Sequence, residues 1–356
     1  MEKRQLTYAQ AINEALDLCM KKDPSVFIIG EGVPDPKGIF WTTKGLKEKY
    51  GPERVLDSPL SENAITGVCI GAALTKMRPI MTHQRVDFSL LAFDQIINNA
   101  AKWHYMFGGQ SNVPLVIRMM IGKGWGQGAQ HSQSLQAIFA HIPGLKVVMP
   151  STPYDAKGLL ISSIEDNNPV IFIEHRWLHN IYGEVPNGIY RVPIGEPKIV
   201  KDGNDLTIVS SSYMTIETLR AVEILGKLGI NAEVIDMRTL KPLNDNLIVK
   251  SVEKTGRLLA ADLGWGSVGF ASEIISRVAE KAFHSLKQSP QKITLPDYPT
   301  PTTQGLTKYY YPRYVDIARK AVRMLGKDEK KLEDLLVAEK EDAPLDVPDK
   351  SFTGPF

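Results

Sequence analysis

The sequence is poor in most of the features that make function readable. Two cysteines occur in 356 residues. Cys19 and Cys69 lie in apolar surroundings with no CxxC spacing, which excludes a disulfide framework and a thiolate metal site and leads to the expectation of a reducing, cytoplasmic setting. Long hydrophobic runs are missing too. The apolar, uncharged stretch Asn63 to Thr75 falls short of the roughly 20 residues that span a bilayer, and Met1-Glu-Lys-Arg4 leads into an amphipathic segment, so no membrane partner is expected. Charge of one sign is lacking: 42 basic against 40 acidic side chains leave a net charge of +2, no global field for nucleic acid. The phosphate-binding pattern G-x-x-x-x-G-K-[ST], the zinc pattern H-E-x-x-H and the nucleophile elbow G-x-S-x-G are all absent, and Gly30-x-Gly32 lacks the third glycine of a dinucleotide fingerprint.

What is present is an ordinary globular composition, 43% hydrophobic and 23% charged, in a chain longer than one core accommodates. Thr7 and Gln10 have capping-box spacing before Ile12, Leu16 and Cys19, which predicts an amphipathic helix over 7–22 ended by Asp23-Pro24. Val26-Phe-Ile-Ile-Gly30 is a short apolar run suited to a strand buried on both faces. The alternation continues: helix 64–74, strand 79–81, helix 90–106, strand 114–118, helix 153–166 and strand 169–174. After a Gly- and Pro-rich break a second series starts at Leu206, with strands near 206–210, 232–237, 257–262 and 292–296 and helices over 216–228, 246–253 and 268–283. The expectation is α/β: two doubly wound domains, each on a parallel sheet, at 1–185 and 205–326, joined by a linker at 186–204 and followed by a charged, Pro-containing tail at 327–356, disordered or draped on a partner.

Ligands in open α/β sheets bind at the carboxyl ends of strands, and the residues capable of chemistry fall there: Glu31, Ser58-Pro-Leu-Ser-Glu62, His83-Gln-Arg85, Asp87-Phe88, and the glycine-rich stretch Gly122 to Gly128 around Trp125, leading to His131. Each has two readings. Glu62 either stabilises a helix N-terminus or, beside apolar packing, shares a proton with a ring nitrogen. The glycine stretch either lets a ligand approach the backbone or forms a mobile surface loop. His131 is an acid/base near neutral pH or a helix-capping or partly exposed side chain. His83 and Arg85 share a face and either hold an anionic substrate group, or Arg85 pairs with Asp87 or Asp94.

Order and spacing add what no single segment provides. Leu56-Asp-Ser-Pro-Leu-Ser-Glu62, Gly71-Ala-Ala73, Asp87-Phe88, Asp94 to Lys102, Tyr105-Met-Phe-Gly-Gly109, Gly128 to Ser134, Pro143 to Val148, Asp155-Ala-Lys-Gly158 and Asp166-Asn-Asn-Pro-Val170 together resemble the beta subunit of the thiamine-diphosphate-dependent first component of 2-oxo acid dehydrogenase complexes, a relative of the transketolases. The resemblance covers residue 4 to about 325. It implies a transketolase-like pyrimidine-binding domain followed by a transketolase C-terminal-like domain. Glu62 matches the family glutamate that hydrogen-bonds the aminopyrimidine of thiamine diphosphate, a contact that favours the tautomer whose nitrogen removes the thiazolium proton. Phe88 matches the aromatic that stacks on the pyrimidine; Leu60 and Gln84 match neighbouring cofactor contacts, to which Glu31 is added from its strand end. His131 matches an active-site histidine. Leu115, Ser163, Ile164, Asp166 and Asn168 match a structural monovalent-cation site, K⁺ in kind.

No Gly-Asp-Gly motif followed by Asn occurs, and Asp202-Gly-Asn204 has the wrong context, so the resemblance implies that a separate alpha subunit holds the diphosphate and its Mg²⁺ in an α2β2 heterotetramer. A lipoyl acyltransferase core is a further partner that it allows. The chain departs from the family at His83-Gln84-Arg85 and at Leu306-Thr307. The leading expectation is decarboxylation of a 2-oxo acid with acyl transfer to lipoamide. A two-subunit carboligase acting on a polar or phosphorylated acceptor is the enzyme alternative, and a non-catalytic scaffold is the alternative from another class.

Overall fold

A computed structural model describes residues 4–124, 126–338, 347–348 and 352. The chain divides into two compact units. Of the described residues, unit 1 comprises those up to Ile194 together with Leu240–Pro242, and unit 2 comprises Gly195–Thr239 and those from Leu243 onward.

Unit 1 contains the strands β1 (Gln5–Thr7), β2 (Val26–Ile29), β3 (Val55–Leu56), β4 (Arg78–His83), β5 (Val116–Ile121), β6 (Lys146–Val148), β7 (Val170–His175) and β8 (Tyr182–Glu184). β1 and β8 form a small antiparallel pair. The others lie in a seven-stranded sheet of order β12-β6-β7-β5-β4-β2-β3, to which the chain returns late to add β12 (Thr239–Lys241) at the edge. The pairings among β2 to β7 are all parallel. Every residue of β5 and of β7 is buried, and the opposite charges they carry, Arg118 and Glu174, pair with each other at 2.7 Å. The helix Tyr8–Lys22 opens with the expected capping box: Gln10 N–H donates to Thr7 Oγ1 at 3.1 Å and Thr7 N–H to Gln10 Oε1 at 2.8 Å. That helix packs on Pro153–Glu165, which starts with Pro at its first turn and Thr152 as its cap.

The helix expected over 90–106 is broken into a 3₁₀ turn at Phe88–Ala92, a π-helical stretch at Gln95–Ala100 and one α-turn at Trp103–Met106. Local side chains compete for the backbone there: Ser89 Oγ donates to the Val86 carbonyl at 2.6 Å and Asn99 Nδ2 to the Asp94 carbonyl at 3.5 Å.

Unit 2 carries β9 (Lys198–Lys201), β10 (Leu206–Ser210), β11 (Ala232–Asp236), β13 (Leu258–Trp265) and β14 (Gln291–Leu295), in the order β14-β13-β10-β11-β9. Four strands are parallel as expected, but β9 runs antiparallel to β11, so part of the expected linker is an edge strand. Part of the expected tail is also built into this unit. The helix Glu329–Ala338 packs on Tyr314–Met324 through the fully buried Leu332 and the pairs Arg319–Glu333 at 2.7 Å and Arg323–Glu329 at 2.9 Å. Farther on, the carbonyls of Val347 and Pro348 accept from the Arg313 guanidinium at 2.9 and 3.1 Å, and Arg313 Nε is fixed by Glu217 at 3.1 Å. The remaining tail residues lie outside the described residues. No helix among the described residues is long and apolar enough to cross a membrane.

Candidate active site

Three parallel strands bring the predicted residues to one edge of the unit 1 sheet. β2 ends at Gly30, where a Cβ would meet the Thr82 carbonyl of β4 at 2.3 Å; only glycine permits this approach, and it sets Glu31 beside the end of β4. Gln84 Nε2 then donates to the Glu31 carbonyl at 3.0 Å, and Gly32 N–H to Asp57 Oδ1 at 3.0 Å. Glu62 is the first residue of the helix Glu62–Leu74, whose preceding Ser61 makes no side-chain cap. Glu31, Glu62, His83, Gln84 and Phe88 line one recess, open to solvent. Burial first, and then the charges of Glu62 and Asp57, push the Glu31 carboxyl above its usual range.

His131 is exposed and meets Phe88 edge-on, with ring centroids 5.3 Å apart at 89°. It is held there by its neighbours: Asp87 Oδ1 accepts from Gln133 Nε2 at 2.8 Å, and His131 N–H donates to the Gly128 carbonyl at 3.2 Å. Leu60 stands 82% exposed beside the recess. The helix from Glu62 has an open face, with Ala64 exposed and Val68 59% exposed, so the apolar shelter expected around Glu62 is only half supplied by this chain.

His83 and Arg85, expected to share a face, go to different places. His83 reaches the recess, and burial holds its imidazole neutral, its pKa pushed down to about 4. Arg85 is 2% exposed, donates from Nη1 to the Gly122 carbonyl at 2.7 Å, and lies over the Phe40 ring at 5.4 Å. The start of the glycine-rich loop is therefore pinned: Arg85 takes Gly122 and Trp177 Nε1 donates to the Lys123 carbonyl at 2.7 Å. Gly122 has φ +84, and a Cβ there would strike the His175 ring at 2.4 Å. Trp125 lies outside the described residues. Phe40, His175 and Trp177 were missed from sequence because nothing local marks them as neighbours of this loop.

The five residues matched to a cation site are gathered at the opposite end of the sheet. Asp166 gives its carboxylate to Lys146 and, at 2.8 and 3.0 Å, to Asn168. The carbonyls of Ile164 and Asp166 accept from Arg78 Nη1 at 2.9 and 3.0 Å, that of Leu115 from Val170 N–H at 2.9 Å. The carboxylate of Asp166 is thus paired with Lys146, and the Arg78 guanidinium takes the Ile164 and Asp166 carbonyls. Among the described residues no group of three or more His, Cys, Asp or Glu side chains could hold a metal.

Two family models match: the transketolase pyrimidine binding domain over residues 4–180 and the transketolase C-terminal domain over 195–317. Similar curated proteins include the acetoin:2,6-dichlorophenolindophenol oxidoreductase beta subunit of Cupriavidus necator, 47% identical over 89% of this chain and 97% of the relative. The chain belongs to the transketolase-like family of dehydrogenase beta subunits. Members also similar to it are the mitochondrial pyruvate dehydrogenase beta-1 subunit of Oryza sativa subsp. japonica, 43% identical over 90% of this chain and 87% of that protein, and the pyruvate dehydrogenase beta subunit of Rickettsia felis, 40% identical over 88% and 96%. Among solved structures, a split-gene transketolase described as an inactive beta4 tetramer aligns with TM-score 0.74 and 22% identity over 90% of this chain and 98% of that one, a likeness of fold. In this member of the family the recess brings Phe88 and Glu31 together with Glu62, a carboxylate at a helix N-terminus.

Proposed function

We propose that this chain is the catalytic beta subunit of a thiamine-diphosphate-dependent 2-oxo acid dehydrogenase, decarboxylating a 2-oxo acid and passing the acyl fragment to lipoamide. The carrying observation is that Glu31, Glu62 and the Gln84–Phe88 segment, three separate parts of the chain, line one recess at the carboxyl edge of the sheet. When bound, thiamine diphosphate supplies a carbon acid able to attack a keto group and hold the resulting electron pair. This chain's residues orient and protonate it. Phe88 offers a stacking face, Leu60 and Gln84 border the ring, and Glu62 holds a proton at the pyrimidine nitrogen. Glu31 lies close enough to feel the Glu62 charge. His131, exposed and braced by Phe88, moves protons on the substrate side.

The partner is an alpha subunit holding the diphosphate and Mg²⁺ in an α2β2 heterotetramer. The exposed apolar residues Leu60 and Val68, just before and on the helix that Glu62 starts, and Leu91, in the turn packed on that helix, support a covered face there. A monovalent cation bound by the carbonyls of Leu115, Ser163, Ile164, Asp166 and Asn168 would stiffen the far end of the sheet. The gathering of Glu62, Phe88 and His131 speaks against a mere scaffold. The test is co-expression with the alpha partner and product analysis. CO₂ release with acylated lipoamide is expected, a new carbon–carbon bond in place of lipoyl acylation transfers the assignment to a carboligase, and full turnover by the isolated chain defeats the shared site.

A further inference from the structure

Four consecutive residues after β4 hold a loop that lies some forty positions away in sequence. The segment 85–88 is itself fixed: Val86 N–H donates to the Met120 carbonyl of β5 at 2.9 Å, and Phe88 N–H closes a turn on the Arg85 carbonyl at 3.2 Å. The side chains of Arg85 and Asp87 are buried. Arg85 grips the entry of the loop 122–134 at the Gly122 carbonyl, and a Cβ on Gly124 would come within 3.0 Å of its Nη2, so that glycine too leaves room for the guanidinium. Asp87 grips the exit, where its Oδ1 accepts from Gln133 Nε2 at 2.8 Å and from Gln133 N–H at 3.4 Å. Phe88 meets the stretch between them, edge-on to His131.

Between the two grips the loop supports itself weakly. Gly126, Ala129, Gln130 and His131 are exposed, and the hydrogen bonds of the described residues 126–131 stay inside the loop: Gln127 N–H to the Gly124 carbonyl at 3.4 Å, Gly124 N–H to Gln127 Oε1 at 3.0 Å and His131 N–H to the Gly128 carbonyl at 3.2 Å. A glycine-rich stretch with so few outside contacts keeps its place only if its ends are kept in theirs. We propose that Arg85 and Asp87 are positioning residues for proton transfer: by holding both ends of one loop from one fixed segment, they set where the His131 imidazole stands, and neither touches the substrate. A group that moves protons has to stay within hydrogen-bond reach of the reacting atom, and a misplacement of about 1 Å costs about 10²-fold in rate. The departure from the family at Arg85 thereby acquires a role other than anion binding.

The inference rests on the dehydrogenase reading for what His131 does, and two measurements keep them apart. Hydrogen exchange is followed on the cofactor-free alpha–beta complex. Asp87→Ala and Gln133→Ala cut the same bond from its two sides, and each should speed exchange of the 126–133 amides about tenfold while β5 and β7 keep their wild-type protection. The loaded complex is then assayed for CO₂ release from the best of a panel of straight- and branched-chain 2-oxo acids. In Asp87→Ala kcat should fall by about 10- to 10²-fold with thiamine diphosphate affinity, measured by calorimetry, unchanged; Asp87→Asn should retain most of it, because the amide oxygen still accepts from Gln133. Arg85→Met should act in the same way from the entry side. Added to His131→Ala, either Asp87→Ala or Arg85→Met should cost nothing further, since the grip acts through that side chain. An equal loss in both backgrounds, a loss of cofactor affinity, or unchanged exchange of the loop each overturns the positioning role while the dehydrogenase reading stands. Absence of CO₂ from every acid with the wild-type complex overturns that reading, and the role at His131 with it.

Discussion

β4 begins at Arg78 and ends at His83, and its two ends are built on opposite rules. At the amino edge the guanidinium of Arg78 is shared among the Ile164 and Asp166 carbonyls and Asn167 Oδ1, and Arg54 donates to the carbonyls of Met20, Asp23 and Val26. At the carboxyl edge an imidazole nitrogen is buried without a partner, two carboxyls share a recess, and an aromatic lies half open. The satisfied end holds the helices and connections of unit 1 together; the unsatisfied end is where a ligand gains binding energy.

The largest effect expected from breaking this contrast is on turnover. Glu62→Gln keeps the shape of the recess but cannot share a proton as the acid does, so turnover of the alpha–beta complex should fall by about 10²-fold or more with assembly intact. Undiminished turnover would falsify the role of Glu62. At the other end Arg78→Met should leave the recess chemistry intact yet destabilise unit 1 by about 3 kcal/mol, because two carbonyls and an amide lose a charged donor; denaturant titration with kcat measured on the surviving fold would tell the two ends apart.

Acid should weaken the ends in different windows. Burial lowers His83 and His175 to about 4 and about 3, below the unfolded value near 6.5. The unfolded chain then binds the extra protons, so their contribution is present above pH 6.5 and is lost as pH falls toward the folded values, at about 1.4 kcal/mol per pH unit for each. At the amino edge burial alone would raise Asp166, but hydrogen bonds from Lys146 and Asn168 outweigh it and hold the carboxyl low. Its contribution is present above the unfolded carboxylate value and fades only as pH drops through its lower, folded one. Hydrogen exchange between pH 6.5 and 4.5 should therefore open the ends of β4 and β7 before the Lys146–Asp166 region; simultaneous opening would erase the distinction. The smallest effect concerns Glu31, whose raised carboxyl makes a contribution that is lost as pH rises. Glu31→Gln should stabilise unit 1 by a few tenths of a kcal/mol at pH 7 and by nothing near pH 4, a shift visible in denaturation midpoints at the two pH values.

Much of this was open to reading from the chain alone. The capping box at Thr7 and Gln10, the apolar run of β2, and the strand-end position of Glu31 and His83 follow from local pattern, since a buried parallel strand and a helix start each leave a signature within a few neighbours. The short strands β3, β6 and β12 escaped notice, because two or three residues hold no period and their pairing partners are far away in sequence. The 88–106 region kept a helical pattern while its amides and hydroxyls diverted the backbone.

By itself, then, the sequence determined that two α/β units with chemistry at strand ends would form, and, through the order of its motifs, to which family they belong. Tertiary structure alone decided which polar groups are consumed by the fold and which remain for a ligand: Arg85 turned to Gly122, Lys146 to Asp166, and Arg313 to the chain end at Val347 and Pro348, while His83 kept a nitrogen unmatched. The physical reason is that burial and hydrogen-bond satisfaction depend on groups brought together from distant parts of the chain, whereas periodicity and capping depend on neighbours within a turn or two.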